Sequence, residues 1–388
     1  RAFGDTPYTM TIDACGTFAA LRDRDAGRGS VLSRRFVIVA VPQDKRVLGF
    51  VAALRKEGLP TPVLVPWQGV LSEPAMLRGL GQQGDWLRVE SPGADSLTWH
   101  ALARQGGFAG VLSPGQWRPG RAWFAGLSQA LRAIDQETLH LVATHPTEHI
   151  LTMTDKLLCA ERLQAAGVPV PETYPAPPTP DSLRAFLTQR DRHAVFIKPR
   201  WGSSGAGILA YRCAGHREQL TTTARLENGC LINEKRLRSY RDRESIDRLF
   251  RIILSDGAVV QRWIPKAGTA AGPFDLRVLV INGQVAQRIA RVGRGTITNL
   301  HIDAKRLDAE QALQSFGAKT IAAVYDVCRR AAACFPGQLA VGVDVMVDPA
   351  GRPFVLECNA WGDYLPRLLS DGRDSYESQV HALFGAAA

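Results

Sequence analysis

Three oxygen-bearing side chains near the C-terminal end of this 388-residue chain, Asp344, Glu357 and Asn359, have the types and spacing to hold a hard metal ion. They sit in two short runs, Gly342 to Asp348 and Phe354 to Ala360, joined through Asp348-Pro349-Ala350-Gly351. Each run reads as alternation with period two, and Asp-Pro-x-Gly is turn chemistry, so a β-hairpin is expected. Val343, Val345 and Val347 would share one face, with Asp344, Met346 and Asp348 on the other. Glu357 and Asn359 lie two apart and face the same way, so pairing across the turn brings Asp344 towards both. Two carboxylates and a carboxamide suit Mg²⁺ bridging a polyphosphate. The plain alternative is an edge hairpin with a solvated acidic face. Acids set inside apolar runs are rarely there without partners, which favours the metal.

A second candidate site is built for anions. Ala194 to Pro199 reads as a strand with Lys198 near its end, running into Arg200-Trp201-Gly202-Ser203-Ser204-Gly205-Ala206-Gly207 and a further strand from Ile208 to Tyr211. The Walker pattern opens a helix instead, yet the physics of a phosphate cradle is the same. Gly202, Gly205 and Gly207 let backbone N–H groups turn towards an anion, Ser203 and Ser204 add hydroxyl donors, and Lys198 supplies a point charge. An isolated Gly/Ser loop is ordinarily a hairpin turn, but this one is longer than a tight hairpin needs. Lys156 falls in the first turn of a helix expected over 151–168, where a lone lysine is normally just solvated.

Arginines make the third set. Ala258 to Pro265 reads as a strand leaving into a bend. Pro273 to Ile281 is another strand, turned by Asn282-Gly283 onto Gln284 to Ala290. Asp275 and Arg277 share a face of the first, where the carboxylate is placed to hold the guanidinium. Arg288, Arg291 and Arg294 follow, and arginines on faces of an apolar sheet need anionic partners, for which phosphate is natural.

The surrounding elements are read as follows. Residues 1–33 carry little pattern. Phe36 to Val41 is a buried, parallel-type strand, followed by a helical pattern (Val47, Phe50, Val51, Leu54) and a second strand at Thr61 to Pro66. That βαβ unit makes 34–145 a small open α/β domain without a GxGxxG or P-loop signature. Its tryptophans (67, 86, 99, 117, 123) are expected mainly in packing. Pro169 to Pro180 reads as a linker, 233–251 as a mixed-charge helix with a solvated face, and 308–334 as one amphipathic helix.

Composition narrows the class. With 45% hydrophobic residues the chain can bury a full core in two or three domains. No apolar run spans a bilayer and nothing resembles a secretory leader. Seven scattered cysteines without a CxxC pair argue for a reducing, cytoplasmic setting and against a zinc site. The net charge of +10 is mostly arginine spread along the chain, so nucleic acid is a weaker partner than an anionic substrate.

Taken in order, Asp155-Lys156, Gly167-Val168-Pro169-Val170-Pro171, Ile197-Lys198-Pro199 with its loop, Val260 to Pro265, Asp275-Leu276-Arg277-Val278, Arg291 to Asn299, Gly342-x-Asp344 and Glu357-x-Asn359 resemble the ATP-grasp superfamily over about 146 to 370. The branch this is most similar to is that of glutathione synthetase and the glutamate ligases that extend peptides and proteins. The resemblance implies an α/β (α+β ATP-grasp) fold. A small N-terminal open α/β domain would precede two lobes, 146–262 and 263–388, holding ATP between antiparallel sheets. It further implies that Lys156 and Lys198 contact ATP phosphates, with the Gly202 to Gly205 loop over them. Gln261, Arg262, Trp263 and Ile264 would border the adenine, although Arg262 stands where relatives often carry an acidic residue. Arg277, Arg291 and Asn299 would serve the transferring phosphate, and Asp344, Glu357 and Asn359 would bind Mg²⁺. The implied reaction is ATP-dependent joining of a carboxylate to an amine, or less often another nucleophile such as a thiol, through an acyl phosphate. The substrates would be an amino acid, a peptide or a related anionic metabolite. Dimers are common in the superfamily, so a homodimer is open. A phosphotransferase without ligation and a non-catalytic ATP- or peptide-binding module are the rivals. His145, His149 and His301 are read as structural or solvated.

Overall fold

The continuous apolar run Phe36–Ala40 forms β1, buried at every position and flanked in parallel by β2 (Val63–Pro66) and β3 (Trp86–Val89). The sheet order is β2-β1-β3-β4, with β4 the short Val142–Ala143. Helices α1 (Lys45–Lys56), α2 (Trp67–Ser72), α3 (Ser96–Gln105) and α4 (Gly120–Glu137) connect these strands, as the βαβ reading requires. The computed structural model describes residues 33–385 apart from 94, 114, 203–204, 294, 296–304, 362–363 and 366.

Asp155 separates α5 (Thr147–Thr154) from α6 (Lys156–Ala165): its extended backbone ends one helix and its side chain caps the next. The stretch read as a linker contains β5 (Thr173–Pro175), which joins the edge of a second sheet ordered β5-β10-β6-β7-β8-β9. Its strands are β6 (Ala194–Pro199), β7 (Leu209–Ala214), β8 (Arg217–Glu227), β9 (Cys230–Tyr240) and β10 (Ala258–Arg262). Its apolar face is covered by α7 (Pro180–Gln189) and α8 (Arg243–Asp256), with Leu183, Leu187, Ile246, Phe250 and Ile253 at the centre. The helix expected over 233–251 is therefore corrected: its first part is strand. Asn228 and Gly229, both at positive φ (49° and 76°), make a two-residue hairpin turn that commits the following residues to pair back. A helix begins only where Asp242 caps Ser245 N.

The third sheet runs β14-β13-β12-β15-β16, from β12 (Gly272–Ile281), β13 (Gln284–Val292), β14 (Lys305–Asp308), β15 (Ala340–Val347) and β16 (Pro353–Asn359), with the short β11 (Gly268–Thr269) on β12. The single helix expected over 308–334 is two, α9 (Ala309–Leu313) and α10 (Gly317–Ala333), because Gly317, at the start of the second, takes φ 77° and breaks the helical path. Val324, Val327, Cys328 and Ala331 of α10 pack on Val343, Val345 and Val355 of the sheet. The closing helix α11 (Ser375–Phe384) returns to the first domain, where Tyr376, Val380 and Phe384 share a core with Phe36 and Phe50.

Trp67, Trp86 and Trp99 are buried, as expected, but Trp117 belongs to the core of the second sheet, where its main-chain N–H donates to Leu231 O at 2.7 Å. No described helix is long and apolar enough to cross a membrane.

Candidate active site

The hairpin that orders the site is β15–β16. Asp344 pairs directly with Glu357, but the next pair is Val345 with Val355, so Leu356 is an extra residue in β16. Strict alternation would send Val355 and Glu357 to the same face. The bulge instead buries Val355 and Cys358 in the core and leaves Leu356 and Glu357 both on the cleft. Asn359, opposite Gly342, donates its Nδ2 to Gly342 O at 3.3 Å. It does not line the cleft.

Above this hairpin lies a ladder of alternating charge. Arg277 Nη1 and Arg291 Nη2 approach Asp344 Oδ1 at 3.0 and 3.2 Å. Arg291 Nε donates to Asp275 Oδ1 and Lys266 Nζ to Asp275 Oδ2, both at 2.6 Å. The expected hold of Asp275 on Arg277 is thus corrected: β13 brings Arg291 opposite Asp275, and β15 brings Asp344 opposite Arg277. Burial alone would disfavour the Arg291 cation, but Asp275 and Asp344 more than offset it and hold its pKa above the usual value. Arg288 is not part of this ladder. It reaches Glu310 at 2.6 Å and Tyr325 at 3.1 Å, so its anionic partner is a side chain of the protein.

The opposite wall comes from the second sheet. Lys198, 9% exposed, donates from Nζ to Gln261 Oε1 at 2.6 Å, and Gln261 Nε2 donates to Thr173 Oγ1 at 3.1 Å. Burial, reinforced by Lys156 and Lys266, pulls the Lys198 pKa down to about 8 against the raising influence of Glu357 and Asp344. Burial pushes Asp344 upward despite its arginines. Burial acts in the same sense on Glu357, but Lys156 and Lys198 overcome it and hold its carboxyl well below the usual range.

Between these walls is a cleft of about 880 Å³, mouth included. Its apolar part is Pro171, Phe196, Ile208, Ile264, Met346 and Leu356; its charged part is Lys156, Lys198, Lys266, Asp275, Arg291, Asp344 and Glu357. Gly202, Gly205, Gln261 and Arg262 also line it, while Trp263 does not: its ring packs 4.8 Å from Phe196, with the Arg212 guanidinium 4.1 Å over it. The Arg262 side chain is 51% exposed and reaches Glu172 at only 3.9 Å. Ser203, Ser204, Arg294, Asn299 and His301 lie outside the described residues.

Sequence reading missed Lys266, Phe196, Ile208 and Leu356. Met346 was legible, since it shares the Asp344 face by period two. Leu356 was not, because a bulge leaves no mark in an apolar strand.

The donor set fits Mg²⁺. Asp344 Oδ1 is buried without a hydrogen bond, despite the two guanidinium groups near it, and Glu357 faces it across the register. Among the described residues no group of three or more His, Cys, Asp or Glu could hold a metal alone, so an ion here would need ligands from a phosphate as well.

Solved structures share this architecture. D-cycloserine synthetase DcsG superposes with a TM-score of 0.53 at 16% identity, covering 91% of this chain and 100% of that one. The ATP-grasp ligase PsnB complexed with minimal precursor gives 0.53 at 18%, covering 92% and 100%. The ADP complex of the N5-carboxyaminoimidazole ribonucleotide synthetase purK gives 0.50 at 10%, covering 91% and 77%. At such identities these likenesses show the fold, which is ATP-grasp. No curated protein matches the chain. The family model described as "YheC/D like ATP-grasp" matches residues 152–376, more than half of the sequence, and the chain belongs to that family.

Proposed function

We propose that the protein is an ATP-dependent carboxylate–amine ligase, forming an amide through an acyl phosphate with release of ADP and phosphate. The observation that carries this reading is the ladder Lys266–Asp275–Arg291–Asp344–Arg277, with Glu357 paired beside Asp344, facing Lys198 across a cleft lined by both charged and apolar side chains. The apolar lining of Met346, Leu356, Phe196, Ile208 and Ile264 suits a flat base, and the lysines and arginine of the charged lining suit a polyphosphate.

In this reading Lys198 and Lys156 neutralise the phosphates, and Gly202 and Gly205 present main-chain N–H groups to them. Arg291 and Arg277 stand where negative charge collects on a transferring phosphoryl group, pre-set by Asp275 and Asp344. When bound, Mg²⁺ would be held by Asp344 and Glu357 and would draw charge from the phosphate oxygens. Transfer needs position and charge rather than a covalent residue. In keeping with this, no His or Cys is among the described lining residues. Fold-level likeness to DcsG, described as a synthetase, and to PsnB, described as a ligase, agrees with the reading by analogy only. The arginine-rich composition favours anionic substrates, such as an acidic amino acid or peptide.

The test is ADP release with Mg²⁺ and a pool of amino acids and short peptides, for wild type, Glu357→Gln and Lys198→Ala. Turnover that requires an amine and disappears in both variants supports the ligase. A phosphorylated product formed without an amine would make it a phosphotransferase. Nucleotide binding without turnover would make it a binding module.

A further inference from the structure

We propose that Asp155 is the positioning residue that joins Lys156 and the root of the phosphate loop into one unit and fastens that unit to the N-terminal domain. The inference rests on the nucleotide-binding reading above. Asp155 is 1% exposed, and its carboxylate takes four donors. Leu157 N and Leu158 N donate to Oδ1 at 3.0 and 3.2 Å, which caps α6. Arg200 Nε lies 2.8 Å from both oxygens, and Trp201 Nε1 donates to Oδ2 at 2.9 Å. A helix cap needs only the first two. The other two come from the residues immediately before Gly202, at the foot of the loop.

The main chain repeats the connection. Lys156 N donates to Arg200 O at 3.1 Å, Asp155 and Trp201 form a bridge, and Lys156 Nζ donates to Gly202 O. Lys156 and the loop therefore cannot move apart without breaking the Asp155 contacts. Trp201 carries the linkage outward. Its ring stacks on Phe124 of α4 at 5.5 Å and 20°. Gly120, the first residue of α4, sits so close that a Cβ there would meet Trp201 O at 1.8 Å. On the far side, Asp256 accepts from Gly120 N at 2.6 Å and Arg121 N at 3.1 Å, and Gly257 O accepts from Arg200 N at 3.1 Å. The foot of the loop is thus held between α6, the start of α4 and the turn after α8.

The negative charge is what distinguishes this role from capping. Asparagine caps a helix as well as aspartate does, but offers the Arg200 guanidinium no charge. Affinity for Mg·ADP and thermal midpoint would be measured for wild type, Asp155→Asn, Trp201→Phe and, as a cap control on α8, Asp242→Asn. Both site variants should weaken Mg·ADP by roughly tenfold, the scale on which groups orienting a ligand-contacting residue act, while the control leaves affinity unchanged. Because Asp155 acts in part through Lys156, adding Asp155→Asn to Lys156→Ala should weaken affinity by clearly less than the roughly tenfold it costs in the wild type. Wild-type affinity in Asp155→Asn, or a loss fully additive with Lys156→Ala, would overturn the inference and leave a helix cap. No Mg·ADP binding by wild type would instead overturn the nucleotide reading, and the inference with it.

Discussion

Asp344 and Glu357 are register partners across β15 and β16, and the ladder breaks immediately beyond them, where Leu356 is inserted. Direct opposition sets the buried Asp344 carboxylate against the half-buried one of Glu357 on the cleft, and the insertion adds an apolar side chain to the same wall. Charge and floor of the cleft thus come from consecutive residues, an arrangement that regular pairing forbids.

Glu357→Gln keeps the shape of the side chain and removes the charge. Turnover should fall by roughly 10²-fold or more, the scale seen when a group stabilising developing charge is lost. The thermal midpoint should move little. ADP release at saturating ATP, compared with the melting curve, checks this.

Lys198 gives a pH signature. Its pKa in the free protein is depressed to about 8. A bound phosphate favours the charged form, so above that pH the complex holds a proton that the free protein has lost. Mg·ADP affinity should therefore be level below about pH 8 and fall as pH rises through it. Lys198→Met should bind about 10- to 100-fold more weakly and lose this dependence. Titration calorimetry from neutral to alkaline pH separates the two.

Asp275 supports two cations at once, Arg291 and Lys266. Asp275→Asn puts a neutral amide beside Lys266 and Arg291, with Asp344 still near Arg291, so unfolding in urea should show a loss of about 1–3 kcal/mol, together with loss of turnover. A loss below about 1 kcal/mol would show that the ladder is not coupled through this residue.

Arg262 and Gln261 are neighbours with opposite expectations. Arg262 is half exposed and only distantly paired, so Arg262→Ala should change stability by no more than about 0.5 kcal/mol and nucleotide affinity by less than about threefold. Gln261→Leu removes the acceptor of Lys198 Nζ and should cost about 1–3 kcal/mol. Parallel melts and titrations of the two variants check the contrast.

The sequence by itself determined the parts that local rules govern. Period two placed Asp344 with Met346 and Glu357 with Asn359. The strand that holds Lys198 at its end, with a glycine loop beyond it, was legible as a wall of the cleft, and FVIVA marked a parallel strand. Ordered motifs were enough to indicate the family. Tertiary structure decided which charges meet. Asp275 and Arg277 are two apart on one face, yet each pairs across strands, because register partners on neighbouring strands come closer than residues along one strand. It also decided that 230–240 is strand: the Asn228-Gly229 turn overrode a charge pattern that suits a helix. Lys266 entered the cleft only because the bend after β10 delivers it to Asp275. Asp155 gained its second pair of donors only when the foot of the loop folded back upon α6. Each of these depends on a partner distant in sequence, and periodicity along one segment carries no information about which distant segment will lie beside it.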